Sequence, residues 1–206
     1  MRTDTTPAPD RDYAGIWRDT SARIDDLLAS SSGSSDVAVP TLPGATVRDV
    51  VIRLAELRRQ WDAMVDPAAA AGLITEAAMY EHDIRTGLDR PGARDDESVK
   101  VALDELSGRF SDRVVAAGLP PLRVTVEQWG TIIGEGSAVR CVVADRFEFV
   151  RAMAGRRSAN EIARWNWGTD PAPYFPVIAE AGLPDDEIHE RDPRVPEHMR
   201  DREFVL

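Results

Sequence analysis

The chain has 206 residues, 43% of them hydrophobic and 30% charged, proportions that exclude a disordered polymer and suffice for one sizeable folded unit with an appendage. Its 25 basic residues face 36 acidic ones, and the net charge of −11 argues against phosphate backbones and anionic lipid, so nucleic acid and membranes are set aside as partners. No apolar run approaches the roughly 18 residues that cross a bilayer, and Met1-Arg2-Thr3-Asp4 starts no signal peptide; a cytoplasmic location is expected.

Residues 1–11 are polar and contain proline, and are expected to form a flexible N-terminus. Helical spacing begins at Tyr13 and runs through Ile16, Trp17, Ile24, Leu27 and Leu28, up to a flexible Ser30–Ser35 connection. Thr46, with Asp49 three residues on, resembles a capping box and opens a second helix. Its stripe is Val47, Val50, Val51, Leu54, Leu57, Trp61 and Met64, and Pro67 ends it or starts the next element. A third helix is predicted from about Ala69 to Leu88, with Leu73, Ala77, Tyr80, Ile84 and Leu88 facing inward and Asp89-Arg90-Pro91-Gly92 as its break. A fourth carries Val99, Leu103, Leu106, Phe110 and Val114 and stops near Gly118-Leu119-Pro120-Pro121. Four amphipathic helices on short connections pack most simply as an up-and-down four-helix bundle, placed here over 12–119.

After Pro121 the period shortens. Leu122–Val126 alternates as a strand, Trp129–Ile133 reads as a second and Val139–Val143 as a third. Helical spacing returns at Phe147, Phe149, Val150 and Met153 and is stopped by Gly155; Ser158 with Glu161 caps another short helix. The expected fold is therefore mainly α, a helical bundle followed by a small α/β segment over 120–183, with 184–206 as an acidic, Pro-rich surface tail. Cys141 is the lone cysteine and is expected to be a buried structural thiol, since no internal disulfide is possible. The Arg156-Arg157 doublet reads as compensation of a helix C-terminus, and Trp129, Trp165 and Trp167 as packing residues.

Three stretches carry a resemblance. They are Leu42-Pro43-Gly44-Ala45-Thr46-Val47-Arg48-Asp49 continuing to Leu54, Glu76–Arg85 followed by Leu88-Asp89-Arg90-Pro91-Gly92, and Arg146–Ser158 continuing to Trp167-x-x-Asp170-Pro171. In order and spacing they resemble the actinobacterial, mycothiol-dependent maleylpyruvate isomerase branch of the DinB-like bundles. The resemblance reaches from about Tyr13 to Leu183, with a shortened connection between the second and third helices. It implies a divalent metal on two histidines and one glutamate, mycothiol as the thiol cofactor, and a small-molecule substrate. A homodimer is compatible with such bundles.

The family's ligand positions fall on Arg53, Glu76 and Tyr80, so only the carboxylate is kept. A guanidinium has no lone pair to donate, and a tyrosine with pKa near 10 ligates only with help. The expectation is a degenerate site with metal ligands none. Arg53 would pair with Glu76 across two helices or hold an anionic substrate group, with Glu76 as base and Tyr80 as acid. This suggests a metal-independent enzyme of isomerase or transferase ancestry acting on a small anionic metabolite. The alternative is a non-catalytic small-molecule binder or interaction protein, and a metal-dependent mycothiol enzyme is the least favoured reading. His82, opposite the inner stripe of its helix, is expected to face solvent or a partner; His189 and His198 are expected to be solvated in the tail.

Overall fold

A computed structural model describes residues 11–31, 33–127 and 129–195. The expectations for residues 1–10, for Ser32 and for the tail beyond 195, His198 included, lie outside the described residues. The chain is mainly helical, with a small sheet in its C-terminal part. The first four helices are α1 (Tyr13–Ala29), α2 (Val47–Asp62), α3 (Ala70–Gly87) and α4 (Glu97–Ala116). Strands β1 (Leu122–Val126), β2 (Trp129–Ile133) and β3 (Arg140–Val143) follow, then α5 (Arg146–Met153), α6 (Ala159–Ala163), β4 (Asn166–Trp167) and α7 (Phe175–Ile178). No helix among the described residues is long and apolar enough to cross a membrane.

Local chemistry sets the ends of these elements. Thr46 and Asp49 form a reciprocal capping box at α2, as Ser158 and Glu161 do at α6. Asp12, Asp96 and Asp145 cap α1, α4 and α5 through their carboxylates. At the break after α3 the backbone takes positive φ at Asp89 and at Gly92, which turns the chain back sharply towards α4.

Helix α3 is central, packed against α1, α2 and α4. On one side, Ile74, Ala77 and Ile84 join Trp17, Ile24 and Leu27 of α1 and Val47, Val50, Leu54 and Leu57 of α2. On the other, Ala78 and Met79 join α4, the strands and α5 in a larger apolar cluster. Each fully buried Leu, Ile or Phe in these clusters contributes about 1.5–3 kcal/mol. Helix α4, grouped with the bundle by its sequence, thus shares its core with Leu122, Val124, Val126 and Val142 of the strands. Because α3 is covered on both faces, its predicted inner stripe holds only in part: Ala77 and Ile84 are buried, whereas Leu73, Tyr80 and Leu88 are half-buried. Glu81, His82 and Asp83 are buried instead.

The sheet has the order β2-β1-β3-β4. β1 pairs antiparallel with β2 and parallel with β3, and the short β4, which lacked any periodic signal, pairs antiparallel with β3. Strand alternation sends Val142 inward and its neighbour Cys141 outward, so Cys141 is exposed and not the buried thiol expected. Trp165 stacks on Trp167, and Trp167 on Tyr174, against the larger core, in the packing role expected of them. Part of the presumed surface tail is docked: Ile188 is buried, and the Glu190 side chain is 4% exposed between the guanidiniums of Arg151 and Arg157.

Candidate functional site

The three residues singled out from the sequence do not form a closed constellation. Arg53 on α2 and Glu76 on α3 are exposed, and Tyr80, one turn after Glu76, is half-buried. No ion pair joins Arg53 to Glu76 among the described residues, which corrects the expected bidentate contact. The two helices meet through Leu54, Leu57, Ile74 and Ala77, and both charged side chains sit outside that seam in water. Tyr80 is the shared neighbour. Burial first, and then the Glu76 carboxylate, raise its pKa above the ordinary value, against the opposing field of Arg53 and Arg156. It is a neutral phenol at pH 7.

The donor set does not fit the metal that the resemblance implies, because a guanidinium replaces one imidazole and a raised-pKa phenol the other. Among the described residues, no group of three or more His, Cys, Asp or Glu side chains is placed to hold a metal ion.

The concentrated chemistry lies two to three residues further along α3. Asp83 accepts from Arg151 at 2.7 Å, from Arg156 at 3.0 and 3.1 Å and from Thr41 at 2.7 Å. Glu190 lies between two guanidiniums, accepting from Arg151 at 2.7 and 2.8 Å and from Arg157 at 2.7 Å, with the Thr86 hydroxyl on the same carboxylate. Glu148 takes Arg157 and Arg94, and Arg94 also donates to the Glu190 carbonyl at 2.7 Å. Beside them the buried Glu81 pairs with Arg23 at 3.0 Å and Arg85 at 2.7 Å. Burial opposes ionisation of Asp83 and Glu190, but Arg151 together with Arg156 at the first and Arg157 at the second outweigh it. Both carboxyls are held below their ordinary range.

The doublet at the end of α5 therefore has two roles. Arg156 does donate to the Ala154 carbonyl at the helix end, at 2.8 Å, as dipole compensation requires. Both arginines also neutralise buried carboxylates from distant parts of the chain. Sequence reasoning missed Arg151, Asp83 and Glu190. The available signal was charged residues inside otherwise apolar stretches, since such residues are buried only when paired.

His82 corrects a second expectation. It is 3% exposed, edge-on to Phe147 with ring centroids 4.6 Å apart, and covered by α5 rather than by solvent. Burial, reinforced by Arg151, pushes its pKa down to about 3. Its Nε2 finds no hydrogen-bond partner in the protein. His82 is one wall of a cavity of about 70 Å³, along with Thr86, Phe147 and Glu190. Arg85, Pro91 and Arg191 continue from that cavity into a concavity of about 600 Å³ that also takes in Arg23 and Arg90. Arg85, Gly92 and Arg94 continue into another of about 410 Å³, bordered by Arg194, Asp95 and Asp96. His189, half exposed, lies 3.8 Å from Glu187.

Comparison of the chain with family models, with curated proteins and with solved structures returned no match.

Proposed function

We propose that this protein binds a small anionic metabolite without a metal ion, in the cleft where the C-terminal halves of α1 and α3 meet the 88–96 connection and residues 189–194. One observation carries this reading. On a chain of net charge −11, Arg23, Arg85, Arg90, Arg94, Arg191 and Arg194 converge on adjoining concavities. Asp26, Asp89, Asp95 and Asp96 line the same concavities, and Arg23, Arg85, Arg94, Arg191 and Arg194 each already pair with a carboxylate, but Arg90 is exposed and makes no ion pair among the described residues. A guanidinium has five donors, so arginines that already hold a carboxylate keep N–H groups for a second anion. Low-dielectric walls focus such a field on an incoming anion.

A thermal-shift titration with carboxylates and phosphate at constant ionic strength tests the proposal. Binding to the folded state raises stability by about 2.7 kcal/mol at a hundredfold excess over Kd. For a chain of this size that is a shift of about 5–11 °C. Arg90→Ala should weaken the effect without lowering the starting melting temperature. If no anion at millimolar concentration moves the transition beyond matched chloride, the proposal fails.

A second reading, that of a metal-independent enzyme, is supported by Tyr80, whose half-buried phenol stands in the field of both Arg53 and Glu76. Tyr80→Phe abolishing turnover of a bound metabolite at unchanged melting temperature would favour it. For the fold, we read α1–α4 as an up-and-down four-helix bundle of the DinB-like kind. The order of the three motifs and the central place of α3 among α1, α2 and α4 support that reading.

A further inference from the structure

We infer that the concavity bordered by Arg90 and Asp26 takes a zwitterion, a free amino acid with an apolar side chain. The inference rests on the anion-binding reading above and adds the chemical class of the ligand: the anionic group is the carboxylate of the amino acid. Its starting point is two charges of opposite sign that do not meet. Arg90, in the connection after α3, and Asp26, in the last turn of α1, line the same concavity of about 600 Å³. Both are exposed, and among the described residues neither side chain makes an ion pair or a hydrogen bond.

The charges around them are engaged. Arg23 holds Glu81 and Asp96, Arg85 holds Glu81, and Arg191 holds Asp89. Asp25, the residue before Asp26, holds Arg58. Arg90 and Asp26 therefore border one space with a gap between them wider than a salt bridge. A ligand that carries both charges closes it. Its carboxylate accepts from the Arg90 guanidinium, and its ammonium donates to the Asp26 carboxylate. A plain carboxylate would leave Asp26 as a like charge in its own site, and a plain amine would leave Arg90 as one. The zwitterion meets neither penalty.

The rest of the lining suits the remainder of an amino acid. Leu27, Pro91 and Pro193 give an apolar wall for an aliphatic side chain. Ser30 also borders the concavity, but its hydroxyl is committed to the Leu27 carbonyl at 3.0 Å. Recognition of the ammonium thus falls to Asp26.

Three probes on one kind of carbon skeleton separate the groups: leucine, isocaproate, which lacks the amine, and isoamylamine, which lacks the carboxylate. Each is titrated into the 15N-labelled full chain at pH 7 and constant ionic strength, and Kd is read from saturable amide shifts. Leucine should bind about fivefold more tightly than isocaproate, the most that one exposed ion pair supplies, and isoamylamine should bind more weakly than leucine. Asp26→Asn should erase the advantage of leucine while isocaproate binding persists, and Arg90→Ala should weaken both. Neither side chain has a partner to lose, so both variants should melt with the wild type. Equal binding of leucine and isocaproate, or an advantage of leucine that survives Asp26→Asn, would overturn the zwitterion and leave the anion reading standing. Isoamylamine binding as tightly as leucine would overturn it too, because the carboxylate would then contribute nothing. Leucine and isocaproate binding that is unchanged in Arg90→Ala would overturn both readings. Silence towards leucine overturns the zwitterion alone, and the anion reading is then decided by the carboxylate and phosphate titration above.

Discussion

Replacing Glu190 by glutamine keeps the shape of the side chain and deletes its charge from between two guanidiniums. Arg151 is fully buried and Arg157 is 2% exposed, so neither can turn to water for compensation. Removing one partner of a buried ion pair costs about 3–5 kcal/mol. Arg151 retains Asp83 and Arg157 retains Glu148, which places the expected loss near the lower end, about 3 kcal/mol. At this chain length each kcal/mol moves the melting temperature by about 2–4 °C, so calorimetry at pH 7 should show a fall of about 6–12 °C. Glu187→Gln is the control. It breaks only solvent-exposed contacts, the pair with Arg164 and the approach of His189, and should leave the melting temperature almost unchanged. The pH dependence has a definite sign. The Glu190 carboxyl is held below its ordinary value in the fold, so its contribution is complete above the unfolded pKa of about 4.3 and is lost as pH falls towards the folded value. Wild type and variant should therefore converge in acid. A Glu190→Gln melting point inside the range of the control would refute the claim that this carboxylate secures the C-terminal segment.

Further expectations concern the two histidine questions and the surface triad. The folded pKa of His82 is lowered to about 3, so the unfolded chain takes up the proton first and stability falls as pH drops below the ordinary value of 6.5. The slope due to this group is about 1.4 kcal/mol per pH unit, and chemical denaturation of His82→Phe between that pH and the onset of carboxylate titration should lack it. A double-mutant cycle on Arg53→Ala and Glu76→Ala should give a coupling energy within about 0.5 kcal/mol of zero, since the two side chains are exposed and form no ion pair. The double substitution Arg53→His with Tyr80→His restores the donor types of the resembling family. Zinc or nickel should then raise its melting temperature with the logarithm of metal concentration, and calorimetric silence at millimolar metal would break the alignment of all three positions.

The helix boundaries were legible because they rest on local chemistry. Thr46 with Asp49, Ser158 with Glu161, and the positive-φ glycines at 118 and 155 mark ends that neighbouring residues alone decide. Burial on α3 was less legible. A period of 3.6 identifies one apolar stripe, and alanines on the far side give no sign that a second layer covers them. Hence His82 was expected to face solvent or a partner, and its buried neighbours Glu81 and Asp83 passed unnoticed. The candidate site was hidden for a related reason: Asp83, Arg151 and Glu190 are joined across 68 and 39 residues, and no local rule connects them. Strand β4 is only two residues long and exists by pairing with β3, so it left no pattern to read. Cys141 went astray through a single step of strand alternation.

The placement of Glu190 bears on how the protein is made. A ribosome completes α3 and α5, with Asp83, Arg151 and Arg157, well before residue 190 leaves it. Until then the guanidiniums facing α3 outnumber their counter-charges, and the seam between the helices and the sheet stays hydrated and open. Thr86 must wait 104 residues for its carboxylate partner. Contacts of such separation form late, after the loop-closure entropy has been met. The nascent chain therefore passes through a stage with its apolar clusters assembling and its ionic seam unsealed, a form exposed to proteases and open to chaperones. Docking of the Glu190 segment ends that stage, so released chains truncated before residue 190 should be degraded faster than those that include it.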